Sequence, residues 1–253
     1  MYKRAAAVLV ILGMAAASPI ASAEPAVPVV TPTVIAEIPH DPAAWTEGLE
    51  FDGASLYEAT GEVGKSDLRQ VDPATGRVLR STPLPNDYFG EGFVVLGDRI
   101  LQLTYDGRVI LEWDKATLTV RREIPFPNAW GICRDGDRLV VSDGTDQLAF
   151  YDMNLTRIGS VSVTQDGDRV WGVDELECVN GQVWGAVWPS TEIARIDPAT
   201  GLVDLVVDTA SLWHWGERSN RQVFSSLAHV AGNEFLYVGK EWPAMVRVRI
   251  DGA

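Results

Sequence analysis

The sequence predicts an all-β chain folded as a five-bladed β-propeller. Three observations lead there. No helical periodicity is sustained over about ten residues. Short apolar runs divided by Gly-bearing turns recur at a spacing of roughly 42 residues, the signature of propeller blades. The turn Asp72-Pro73-Ala74-Thr75-Gly76 returns unchanged, at the same phase of its copy, as Asp197-Pro198-Ala199-Thr200-Gly201.

Taken in order, the chain first shows Lys3 and Arg4, an apolar run from Ala5 to Ala17, and then Ala21-Ser22-Ala23. This is the pattern of a secretory signal over residues 1–23, with cleavage before Glu24. The run is short and Ala-rich for a membrane span, and no Cys follows it to suggest lipid attachment. The expected location is therefore outside the cytoplasm, periplasmic or secreted. Residues 24–33, rich in Pro and Val, are expected as an extended lead-in, and residues 34–253 as the propeller.

The first copy runs from Trp45-Thr46-Glu47-Gly48-Leu49 through Leu56–Thr60, Leu68–Asp72 and Val78–Arg80. The second begins Phe89-Gly90-Glu91-Gly92-Phe93 and continues through Ile100–Thr104, Val109–Asp114 and Val120–Ile124. The third starts at Ala129-Trp130-Gly131-Ile132, the fourth at Asp174-Glu175-Leu176-Glu177 and the fifth at Ser225-Ser226-Leu227-Ala228. The fifth has no fourth strand before Ala253. Ala36-Glu37-Ile38-Pro39, within Val34–His40, matches a fourth strand of the type Arg122-Glu123-Ile124-Pro125, so the N-terminal strand is expected to complete the last blade and close the ring. Closure leaves only short, protected edges. An open sandwich is the alternative. The insert Leu212–Arg221, with Trp213, His214 and Trp215, is expected either to cover one face as a lid or to pack on the rim.

Composition narrows the function. Setting aside Lys3 and Arg4 takes the formal charge from −14 to −16. So acidic a chain is not expected to bind nucleic acid or an anionic membrane. Cys133 and Cys178, the only cysteines, could pair in an exported protein. They stand at slightly different phases of the repeat, which argues against a bond, and the sequence leaves the matter open. The three histidines, His40, His214 and His229, are scattered and offer no usual zinc motif.

In a propeller the first strand of each blade lines the central channel, so residues at one phase meet at one mouth. That phase gathers Glu47, Glu91, Trp130, Asp174 and Ser225, with Trp45, Phe89 and Phe224 close by. Second-strand ends add Tyr105, Trp188 and Lys240. Clustered carboxylates repel one another, so their presence points to use. Glu91, between two glycines and two phenylalanines, has the surroundings that raise a carboxyl pKa toward neutrality and suit a proton shuttle. Asp114 and Asp152 are expected as turn formers.

Thr46-Glu47-Gly48-Leu49, Phe89-Gly90-Glu91-Gly92-Phe93, Gln102-Leu103-Thr104, Trp130-Gly131, Glu175-Leu176-Glu177, Val187-Trp188, Ile193-Ala194-Arg195-Ile196 and Gly239-Lys240-Glu241-Trp242-Pro243 resemble, in order and at matching phase, the glutamine cyclotransferase family of plant and bacterial glutaminyl-peptide cyclotransferases. The resemblance covers nearly the whole mature chain. It implies a five-bladed propeller that needs no metal or other cofactor. It implies conversion of N-terminal glutamine, on a peptide or protein, to pyroglutamate with loss of ammonia. By resemblance Glu91 is the catalytic glutamate, and Trp130, Trp188 and Lys240 fall on pocket positions. Four pocket positions depart from the family pattern: Trp45 for a usual Phe, Glu47 for a usual Gln, Tyr105 for a pocket Trp, and Asp174 for an Asn expected to bind substrate. Asp174 exchanges an amide that both donates and accepts for a group that, ionised, only accepts. A monomer is expected. The competing readings are a catalytically impaired propeller that binds exported peptides, and a metal-dependent lactonase-like propeller with Glu47, Glu91 and Asp174 as ligands.

Overall fold

Short runs of alternating apolar and polar residues pleat the chain into antiparallel four-stranded sheets, because period-2 patterning gives a strand two distinct faces. The computed structural model describes residues 26–85 and 87–252; the expected signal, residues 1–23, lies outside them. Blade 1 comprises Thr46–Asp52, Ser55–Thr60, Asp67–Val71 and Val78–Pro83. Blade 2 comprises Phe89–Leu96, Arg99–Tyr105, Val109–Asp114 and Thr119–Pro125. Blade 3 comprises Ile132–Asp135, Arg138–Ser142, Gln147–Asp152 and Arg157–Ser162. Blade 4 comprises Val173–Val179, Gln182–Val187, Glu192–Ile196 and Val203–Asp208. In blade 5, Phe224–Ala231, Glu234–Gly239 and Ala244–Arg249 are joined by the N-terminal strand Thr33–Pro39, antiparallel to Ala244–Arg249. The first strands touch in series around the axis, and that of blade 5 returns to that of blade 1.

The lead-in is more than a spacer. Val29–Val30 pair in parallel with Val206 and Val207, adding a fifth strand to the outer edge of blade 4. The repeated pentapeptide has a steric cause. Gly76 and Gly201 have φ of +71° and +76°, and a Cβ at either would collide with a carbonyl at the end of the preceding blade's fourth strand, Pro39 O or Ser162 O. Only Gly satisfies both conditions.

Cys133 and Cys178 are bonded. The phase difference that argued against pairing is what pairing requires. Successive residues of a strand face opposite sides of the sheet. Ile132 packs into the layer between blades 2 and 3, so its neighbour Cys133 faces blade 4. Val179 packs toward blade 5, so Cys178 faces back to blade 3. Two residues meeting across a blade interface must stand at opposite parity.

The seam between blades 5 and 1 carries a buried polar network. His40 donates from Nδ1 to Trp242 O at 2.7 Å, and its Nε2 lies 2.8 Å from Glu58 Oε1, which also accepts from Thr46 Oγ1 at 2.7 Å. Arg69 stands 3.7 Å from the other Glu58 oxygen and binds Asp67 at 2.8 Å. These contacts tie together the segments that carry Glu47 and Lys240. The 212–221 insert follows a single 3-10 turn, Ala210–Leu212. Trp213 and Trp215 meet Trp242 edge-on, with centroids 5.9 and 5.5 Å away, and His214 meets Glu37 of the outermost strand of blade 5 at 2.8 Å. The tryptophans thus pack on the rim.

Candidate active site

The acidic ring owes its position to a repeated irregularity. At the start of the first strand the ladder slips by one residue in four blades: between Thr46 and Gly48, Gly90 and Phe93, Val173 and Leu176, and Phe224 and Ser226. In blade 3, Trp130 N and Gly131 O both bond to Ser142. A β-bulge leaves a residue out of the ladder and re-aims its side chain. The residues so displaced include Glu47, Glu91 and Asp174. Gly92 makes the close approach possible: its N–H donates to Trp130 O at 2.9 Å, and a Cβ there would strike that carbonyl and Glu175 Oε2.

The mouth opens on a cavity of about 360 Å³ lined by Trp45, Glu47, Phe89, Glu91, Tyr105, Trp130, Asp174, Trp188 and Lys240. Of the eleven residues that the repeat phase assigns to this mouth, nine line the cavity; Ser225 and Phe224 do not. Ser225 belongs elsewhere: it is buried and donates to Thr46 O at 2.8 Å across the blade seam. Phe224 lies in the core against Tyr237 and Trp242.

The polar groups divide into a paired set and a free set. Lys240 Nζ sits 2.7 Å from Glu47 Oε2, while Trp45 Nε1 donates to Glu47 Oε1 at 2.8 Å. Lys240 lies 5.3 Å from the Trp45 ring centroid, and Arg221, from the insert, covers that ring at 4.4 Å. Arg221 is itself held by Glu241 at 2.7 Å and Glu62 at 3.0 Å. Among the described residues, no group donates to the Glu91 or Asp174 carboxylate, although both side chains are buried. Aromatic walls complete the cavity: Trp130 meets Trp188 edge-on at 6.2 Å, and Phe89 meets Tyr105 at 6.0 Å.

Burial is the main electrostatic force here. It lifts Glu91 well above the ordinary carboxylate range, helped by the charges of Glu47 and Asp174 and opposed by Lys240. It lifts Glu47 to about 7 against the pull of Lys240, and Asp174 to about 6. Burial works to lower Lys240, but Glu47 and Asp174 together outweigh it and hold the ammonium protonated. The pocket is thus one cation among three desolvated acids, each of which keeps its proton to a higher pH than an ordinary carboxyl.

Two polar side chains below the floor escaped the sequence reading. Glu175 is buried, its Oε2 has no partner, and burial, with the charges of Asp174 and Glu91, raises it well above the ordinary range. Gln102 is fully buried with neither amide atom partnered. Both stand in motifs quoted above, but phase alignment selects one residue per blade: Glu175 is the second residue of the bulge between Val173 and Leu176, and Gln102 lies on a second strand, opposite Phe93.

A family model described as glutamine cyclotransferase matches residues 5–250. The chain belongs to the glutamine cyclotransferase family. A glutaminyl-peptide cyclotransferase of Arabidopsis thaliana is 34% identical over 230 residues, covering 87% of this chain and 71% of the relative. The crystal structure of Myxococcus xanthus glutaminyl cyclase superposes with a TM-score of 0.82 at 30% identity, covering 89% of this chain and 98% of that one. A nidogen/laminin complex, at 17% identity and a TM-score of 0.52 over 78% of this chain and 72% of that one, shares the fold alone. In this chain the family fold carries an aromatic cavity with two carboxylates, Glu91 and Asp174, to which no described residue donates.

Proposed function

We propose that this chain is a glutaminyl-peptide cyclotransferase that converts the N-terminal glutamine of a peptide or protein to pyroglutamate, with Glu91 as proton shuttle. The observation that carries this is the Glu91 carboxylate: it lines the aromatic cavity, is buried, accepts from no described residue, and is raised by burial well above the ordinary carboxylate range.

In the reaction the substrate's neutral α-amine attacks its own side-chain amide carbon and closes a five-membered ring. The attacking nitrogen gives a proton to Glu91. The tetrahedral intermediate then collapses, the C–N bond to the amide nitrogen breaks, and Glu91 returns the proton to that nitrogen, which leaves as ammonia. No net proton is consumed. A single carboxylate that takes and returns the proton contributes about 10²–10⁴-fold. Free α-amines titrate near 8, so an appreciable neutral fraction exists at neutral pH.

Glu47 is engaged by Lys240 and Trp45, which leaves Asp174 to receive the substrate's amine. Trp130 and Trp188 hold the glutamine folded and exclude water, the contribution of proximity. No metal enters this mechanism. Among the described residues no three His, Cys, Asp or Glu side chains are gathered to hold one ion, so the lactonase-like alternative draws no support from the geometry. The Cys133–Cys178 bond and the signal-like N-terminal sequence support export, and the acidic net charge supports an enzyme without nucleic-acid or anionic-membrane partners.

The test is ammonia release from a Gln-initiated peptide, with and without a chelator. Equal turnover in both supports the mechanism. Binding without turnover favours a non-catalytic peptide receptor, and loss on chelation a metal-dependent enzyme.

A further inference from the structure

Three Phe, Tyr or Trp side chains are exposed among the described residues: Tyr105 at 43%, Trp188 at 48% and Trp171 at 59%. The first two line the cavity. Trp171 does not, yet its backbone is locked to the same rim. The next residue, Gly172, accepts from Trp188 N at 2.8 Å and donates to Gly144 O at 3.0 Å, and Gly144 in turn donates to Val173 O at 3.2 Å. A Cβ at Gly144 would run into the Trp130 ring. Trp171 is therefore held beside the Trp130–Trp188 wall on fixed backbone, directly before the strand that delivers Asp174. Its indole is bare although nothing in that segment is loose. The neighbouring charge, Arg169, is taken up by Asp146 at 2.8 Å.

The rim thus carries a further exposed indole outside the cavity, one residue away from the backbone that pairs with Trp188. The cavity accounts for the glutamine. The rest of a peptide must leave through the mouth, rising about 3.3 Å per residue if extended, which brings its second side chain over the rim. We propose that Trp171, with Trp188, forms an apolar subsite for the side chain of the substrate's second residue, selecting large apolar residues there. This rests on the function proposed above.

The experiment compares kcat/KM for Gln-Phe-amide and Gln-Gly-amide, by ammonia release, in the wild type, Trp171→Ala and Trp171→Phe. The wild type should prefer Gln-Phe-amide. Trp171→Ala should lower the ratio of the two by about 10-fold, through KM, the scale of a lost aromatic contact, and Trp171→Phe should keep most of it. A ratio unchanged in Trp171→Ala, including a uniform loss on both substrates, overturns the subsite. Absence of ammonia from both substrates in the wild type overturns the function itself and the subsite with it.

Discussion

Replacing Glu91 by Gln should make the protein inactive and more stable at once. The side chain keeps its shape, loses its charge and can no longer carry the proton. Loss of the shuttle should lower kcat by about 10²–10⁴-fold. The stability effect follows from the raised pKa. A carboxyl whose folded value lies above its unfolded value, here 4.5, weakens the fold whenever it is ionised in the unfolded chain. The cost is absent below that unfolded value and grows by about 1.36 kcal/mol per pH unit as pH rises toward the folded value. At pH 7 it cannot exceed ~3.5 kcal/mol. Glu91→Gln removes this cost, and for a domain of this size each kcal/mol moves the melting midpoint by about 2–4 °C. Thermal unfolding at pH 4 and pH 8 should therefore show the variant level with wild type in acid and several degrees above it in base. Equal midpoints at both pH values would refute the claim that this carboxylate is desolvated, and normal turnover would remove it from the mechanism.

Asp174→Asn removes a negative charge that raises both Glu47 and Glu91; the base then ionises more readily, and the acid limb of kcat/KM should move down by roughly half to one pH unit. Removing the disulfide, whose cysteines are 45 residues apart, should cost roughly 2–4 kcal/mol and show as a lower midpoint in Cys133→Ser/Cys178→Ser. At the seam, burial lowers His40, but the Glu58 charge and hydrogen bond outweigh it and hold the ring above its ordinary 6.5. Its contribution is complete below pH 6.5 and is lost as pH rises through the folded value. His40→Gln should therefore flatten the decline of the melting midpoint on the alkaline side, and an unaltered decline would exclude His40 as its source.

What the sequence by itself determined is periodic. Strands of the same order share a phase, so Glu47, Glu91, Trp130 and Asp174 could be brought to one mouth without coordinates, and Tyr105, Trp188 and Lys240 added from the ends of second strands. The missing fourth strand of blade 5 and the spare segment Val34–His40 were likewise visible as a pattern. What only the tertiary structure decided concerns direction and desolvation. Bulges turn Glu47, Glu91 and Asp174 into the cavity and bring Glu175 in beneath them, while at the same phase Ser225 is spent on Thr46 O. The pleat, not the repeat phase, brings Cys133 to Cys178. The insert's tryptophans settle on Trp242 while its Arg221 reaches Trp45. Whether a carboxylate is paired, as Glu47 is, or bare, as Glu91 is, depends on neighbours from other blades. A one-dimensional repeat records which residues share a level of the ring; it does not record which way each side chain points, or what it meets there.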